Sequence, residues 1–164
     1  MSRSVGKFAL ALISAAALAG IAAAQAPAPP VAGPKEYKPG LADLMLLYIQ
    51  PRHAKLGLAG AEGNWAQAMF SVTELTHAFE RAGGQVPKWR QLLIPEMTAA
   101  MIDGPVGEVV KAIKARDAAA FQRGYQQLTT GCNACHAAAG LEHIAIKAPD
   151  RSAFPNQDFA PLKR

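Results

Sequence analysis

The sequence predicts an all-α domain, a bundle of helices around one core, and three observations support this. Apolar residues recur at i, i+3, i+4 spacing through four successive stretches. No convincing hairpin pattern and no internal repeat interrupts them. The length of 164 residues, with 51% hydrophobic and 18% charged content, suits one ordinary globular domain.

The first residues stand outside that pattern. Arg3 and Lys7 precede an uncharged run from Phe8 to Ala24, rich in Ala, Leu and Ile and ending on the small residues Ala22 and Ala24. This is the arrangement of a secretory signal peptide, expected over residues 1–24 with cleavage after Ala24. The run is short for a membrane anchor, and no cysteine follows it to take a lipid. The expectation is an exported, soluble, periplasmic product with no stable membrane anchor after cleavage. Pro27, Pro29, Pro30, Pro34 and Pro39 make residues 25–40 an extended linker.

The helical pattern opens near Leu41 and runs to about Gly60. It places Leu41, Leu44, Met45, Tyr48, Ile49, Arg52 and Leu56 on one side, and Pro51 should kink or divide the helix. In the second stretch Trp65, Ala68, Met69, Val72, Leu75, Thr76 and Phe79 share a face, with Asn64 as a start signal and Gly83-Gly84 as a stop. The third, from Trp89 to Ala115, is broken: Pro95 suits a first turn, and Gly104-Pro105 interrupts the spacing before Val106, Val109, Val110 and Ile113. One kinked helix or two short ones are expected. The last begins at the N-cap Asp117 and turns Phe121, Tyr125, Leu128, Cys132, Cys135 and Ala139 toward the core. The bundle should therefore span residues 41–140. Pro149, Pro155 and Pro161 make residues 141–164 an irregular tail, with a short extended piece at His143 to Ile146.

The only two cysteines lie in Cys132-Asn133-Ala134-Cys135-His136, the C-x-x-C-H spacing of covalent haem attachment. Residues three apart on a helix share a face, so both sulfurs can meet the two vinyl groups of one porphyrin as thioethers. His136 follows at once and can reach under the ring as the proximal iron ligand. Other chemistry fits the motif less well. A disulfide here would close a very small loop and stabilise little. A thioredoxin-like site needs a βαβ setting, whereas the flanks are helical. Zinc would require further soft ligands, and there is no other cysteine.

With C-x-x-C-H on the last of the helices, the layout resembles the class II cytochromes c, the cytochrome c prime group and its low-spin relatives. The resemblance spans roughly Leu41 to Gly140 and includes the approach to the motif from Ala112 through Asp117, Ala120-Phe121, Tyr125 and Leu128. It implies a four-helix bundle with one covalent haem c on the final helix. Members of that class usually carry a basic residue in or beside the motif and end soon after it. This chain instead has Asn133-Ala134 and more than twenty further residues.

The resemblance also points to Met45 as the sixth iron ligand, since a methionine of the first helix holds that place in the low-spin relatives. Ordinary core packing is the competing role for Met45. His53, two turns beyond Met45 on the same helix, can also face inward, and is expected as a surface histidine or a haem propionate partner rather than a ligand. His143 is only seven residues after His136 and would need a sharp turn at Gly140 to cross the ring, and His77 belongs to a solvated face with Glu74, Glu80 and Arg81. Met69, Met97 and Met101 read as core, and Trp65 and Phe79 as packing. The segment Phe154-Pro155-Asn156-Gln157-Asp158-Phe159 is expected to cover the haem edge.

Two functions follow from these expectations. With a sixth ligand the chain is an electron carrier, serving redox partner proteins in the periplasm. With a distal side lined only by groups such as Leu44, Tyr48 and Ile49, it is a five-coordinate binder of nitric oxide or carbon monoxide. An enzyme is not expected, because no cluster of acids and bases accompanies the motif. Loss of Arg3 and Lys7 lowers the formal charge from +5 to +3, and the remaining basic residues are scattered among acids, which argues against nucleic acid. An exposed face on the first two helices would allow a homodimer.

Overall fold

The computed structural model describes residues 37–163. The expected signal peptide and residues 25–36 of the expected linker lie outside the described residues. The first helix, α1, is a continuous succession of Leu41–Leu44, a wide π-helical turn Met45–Ile49, and Gln50–Ala61. Helix α2 is Trp65–Gln85, and strands β1 (Lys88–Trp89) and β2 (Leu92–Leu93) form a small antiparallel hairpin. Helix α3 joins Ile94–Met101, a second π-helical turn Ile102–Val106, and Gly107–Ala115; α4 is Ala118–Ala138. The all-α bundle expected from the periodicity is what the chain forms.

Each helix start has a local cause. Asp43 accepts from the Gly40 amide at 3.0 Å and from the Tyr37 hydroxyl at 2.7 Å, capping α1. Asn64 accepts from the Gln67 amide at 3.2 Å and Asp117 from the Ala120 amide at 2.9 Å, the N-cap bonds foreseen for α2 and α4. Pro95 sits in the first turn of α3, where no N–H is required.

Both π-helical turns accompany a proline. A proline ring collides with the carbonyl four residues back, and a turn closed at five residues moves that carbonyl aside. The Gln50 amide accordingly reaches back to the Met45 carbonyl ahead of Pro51, and the Gly107 amide to the Ile102 carbonyl across Pro105. In α1 the extra residue shifts the apolar stripe. An unbroken α-pattern would carry Leu44 on to Tyr48 and Arg52, but the buried side runs Leu44, Ile49, His53, Leu56 and Gly60. Arg52 is thereby turned outward, and His53 inward, by one residue's rotation of about 100°.

Leu44, Ile49 and Leu56 of α1 join Val72, Leu75 and Phe79 of α2, Val109 and Ile113 of α3, and Phe121, Tyr125 and Leu128 of α4 in one buried core. Helices α1 and α4 approach closely because α1 presents glycines there. A Cβ on Gly60 would run into the Phe121 ring, and one on Gly57 would lie 2.5 Å from the Tyr125 hydroxyl.

Three sequence expectations need correction. Gly83-Gly84 does not stop α2, which continues to Gln85; Gly83 is there because a Cβ would lie 2.7 Å from Thr98 Oγ1 and 3.2 Å from Pro95 Cα of α3. Trp89 belongs to the hairpin, and α3 starts only at Ile94. The hairpin was illegible because its two-residue turn is Arg90-Gln91, with Arg90 at φ 52°, and lacks the Asn or Gly that signals such turns. The stretch His143 to Ile146 opens in a turn rather than a strand. The tail is irregular yet docked: Phe159 is buried in the main core, Phe154 packs on it at 6.2 Å between ring centres, and Asn64 Nδ2 donates to the carbonyls of Phe159 and Ala160.

The two neighbouring glycines give a test of this packing. Gly83→Ala should lower the unfolding free energy by about 1–3 kcal/mol through overpacking against α3. Gly84→Ala, with open space around it, should raise it by about 0.5 kcal/mol. Urea unfolding of both variants decides the matter, and equal effects would refute the close α2–α3 contact.

Candidate functional site

The last two turns of α4 and the residues after them form one wall of an apolar cavity of about 230 Å³. Cys132, Cys135 and His136 all line it, so the helical spacing delivers the motif to a single space as expected. From α1 the cavity receives Leu41, Met45, Ile49 and His53; from α3, Ile94, Met97 and Met101. Trp89 and Leu92 of the hairpin and Ile144 and Ile146 of the tail complete the enclosure. No residue of 154–159 lines it. The aromatic segment packs instead near Lys55 and Asn64, so cover for this cavity comes from the beginning of the tail.

Cys132 and Cys135 are half-buried and not joined in a disulfide. Burial, reinforced by the neighbouring Cys135, pushes the Cys132 thiol up to about 11, and burial also raises Cys135. Both are neutral thiols at neutral pH, the reverse of the depressed thiol a thioredoxin-like centre needs. The flanks are helical as well. Cys135 Sγ lies 3.9 Å from Met97 Sδ. Among the described residues no group of three or more His, Cys, Asp or Glu side chains could hold a bare metal ion. A porphyrin would bring its own nitrogen donors, so a cluster of three side chains is not what such a group would ask of the chain.

His136 is held by the tail. Its Nδ1 lies 2.6 Å from the Ile144 carbonyl oxygen. A carbonyl can only accept, so Nδ1 donates, and of the two neutral tautomers this contact selects the one with the Nε2 lone pair directed away from the tail.

Met45 opens the π-helical turn of α1 and lines the same cavity from a different helix than the cysteines. His53 takes the inward orientation of its two alternatives, and not the surface one. It is 4% exposed, and it stacks on Tyr125 at 4.7 Å between ring centres. The Thr129 hydroxyl donates to the Tyr125 carbonyl at 2.9 Å, so Thr129 Oγ1 must accept from His53 Nε2 at 3.0 Å. His53 Nδ1 then has only a lone pair to offer, and the single Tyr125 hydroxyl proton is shared between it at 3.1 Å and the His53 carbonyl at 2.9 Å. Both ring nitrogens are thus engaged within the protein, and burial lowers the imidazole from its ordinary 6.5 to about 4.

The other candidates separate clearly. His77 is 57% exposed beside Glu74, as expected, and His143 is exposed and away from the cavity. Met69 and Met101 pack on the core as expected, Met101 lining the cavity as well, whereas Met97 is cavity wall. Trp65 meets Phe121 edge-on at 6.0 Å in the core, and Phe79 is a buried core residue that also lines the cavity. Of Leu44, Tyr48 and Ile49, only Ile49 reaches the cavity. Leu44 is fully buried in the core, and the Tyr48 ring is flanked by Arg52 and Arg81, each 5.3 Å from its centre. Sequence reasoning missed the network of His53, Tyr125 and Thr129. The four-residue step from Tyr125 to Thr129 and the inward alternative for His53 were visible signals, but nothing in the sequence paired the two helices at these residues.

Among the described residues no helix is long and apolar enough to cross a membrane. Comparison of the chain with protein-family models, with curated proteins and with solved structures found no match.

The buried imidazole gives a pH dependence of defined sign. The unfolded chain takes up a proton near pH 6.5, while folded His53 resists until about 4. Its contribution is therefore constant above pH 6.5 and is lost as the pH falls toward 4, by roughly 3 kcal/mol in full. Melting temperature followed from pH 7.5 to 4 should show this decline in the wild type and a flatter profile in His53→Gln. Parallel profiles would exclude His53 as its source.

Proposed function

We propose that this chain is an exported monohaem c-type cytochrome that carries electrons between partner proteins in the periplasm. One observation supports the reading above the others: Cys132, Cys135 and His136 share a single apolar cavity with Met45, which reaches it from another helix. The donor set fits the group. Cys132 and Cys135 would hold it through thioethers, His136 through Nε2, and Met45 through its thioether sulfur. Haem bound there supplies a one-electron iron couple.

The chain's own residues do the rest. The Ile144 carbonyl orients the His136 ring and strengthens it as a donor. Ile49, Met97, Met101, Trp89 and Leu92 exclude water, and a low-dielectric surrounding disfavours the more highly charged state. His53, saturated by Tyr125 and Thr129, does not compete with Met45 for the iron unless two buried hydrogen bonds are broken.

Expression in a host equipped for cytochrome c maturation should give a polypeptide whose mass has risen by one haem. Its reduced form should be low-spin and indifferent to carbon monoxide. Met45→Ala should convert it to a high-spin form that binds the gas. Absence of added tetrapyrrole refutes the cytochrome reading. Ready gas binding by the wild type would replace the carrier with a five-coordinate gas-binding protein.

A further inference from the structure

Two features of the sequence lie outside the resemblance described above: an asparagine inside the motif, and the long tail beyond it. The structure joins them. Asn133 Nδ2 donates to the Ile146 carbonyl at 2.9 Å, and Asn133 Oδ1 accepts from the Ile146 amide at 2.7 Å. A side-chain amide here imitates a neighbouring strand, satisfying both backbone groups of one residue. Turning the amide over would set donor against donor and acceptor against acceptor, so the orientation is fixed by its partners. Two residues earlier in the tail, the Ile144 carbonyl accepts from His136 Nδ1 at 2.6 Å. Ile144 and Ile146 both line the cavity.

We propose that Asn133 is a positioning residue: it latches Ile146 so that the tail presents the Ile144 carbonyl to His136 and its isoleucine side chains to the cavity. This rests on the proposed haem attachment for its effect on iron, but the latch itself is a property of the polypeptide. The geometry is economical because latch and ligand sit on one rigid helix. Asn133 and His136 are three residues apart on α4, and their tail partners are two apart, so the segment Ile144 to Ile146 is pinned at both ends. Alanine at either x position of a C-x-x-C-H motif would leave its chemistry intact. In this chain the first x position has been given a second task. Loss of the latch frees the carbonyl from His136, weakens the imidazole as a donor, and favours the reduced iron.

Asn133→Ala is the direct test, with Asn133→Asp as a second variant that keeps the acceptor for the Ile146 amide but repels the Ile146 carbonyl. Asp150→Ala, which removes only the exposed pair with Lys147, is the control. In the polypeptide without haem, hydrogen exchange of the Ile146 amide should quicken about tenfold in Asn133→Ala, and nitrogen-15 spectra should show His136 losing its pure Nδ1–H form. In the loaded protein the reduction potential should shift upward in Asn133→Ala, less in Asn133→Asp, and not in Asp150→Ala, with helix content unchanged. Exchange, tautomer and potential all equal to wild type in Asn133→Ala overturn the latch while leaving the cytochrome reading intact. Failure to take up haem, with exchange and tautomer altered as described, overturns the cytochrome reading and leaves the latch standing.

Discussion

A helix that includes a proline must release a carbonyl, and this chain meets that constraint twice by widening a turn to five residues. The turn Met45–Ile49 before Pro51 decides what α1 offers to the interior. It carries Met45 at its start, brings Ile49 into the stripe after Leu44, and hands the next inward position to His53. The turn Ile102–Val106 does the same service for α3, so that Met97 and Met101 on one side of it face the cavity while Val109 and Ile113 on the other face the core. Had both helices been regular, the composition of the cavity wall would be different.

On that framework the division of labour is chemical. The half of the bundle near Gly57 and Gly60 is filled by aromatic rings, with Trp65, Phe121, Tyr125 and His53 in successive contact. The half near Cys132 and Cys135 is lined mainly by sulfur and aliphatic groups, with Phe79 and Trp89 among them. His53 stands at the boundary, and its two hydrogen bonds keep it with the aromatic half. This separation leaves the thioether of Met45 as the free soft donor that α1 contributes to the cavity.

The helices, their caps at Asn64 and Asp117, the break in α3 and the common face of Cys132 and Cys135 were legible, because each depends on local spacing or a local hydrogen bond. What escaped the sequence depends on partners distant along the chain. Gly83 reads as a stop until Thr98 and Pro95 are seen beside it. His53 reads equally as an inward or a surface residue until the widened turn is counted. Asn133 carries no signal by itself, since its meaning lies thirteen residues away in Ile146. The Arg90-Gln91 turn hides its hairpin because an arginine occupies the left-handed position where glycine is usual.

That arginine has a structural consequence. Its guanidinium donates to the Ala139 carbonyl at 2.8 Å at the end of α4 and rests 4.4 Å over the Trp89 ring. The contact offsets the left-handed backbone, which costs about 1 kcal/mol, and it answers the negative end of the helix dipole. It also makes the three connections of the bundle unequal. The turn at Gly63 has no neighbour within 4 Å of where a side chain would begin, so residues added before the capping Asn64 would meet open space. The hairpin is bolted to the helix that bears the motif. Extra residues grafted between Trp89 and Leu92 would be felt at His136, and the permissive place to splice a tag or a fused domain into this chain is the opposite end of the bundle.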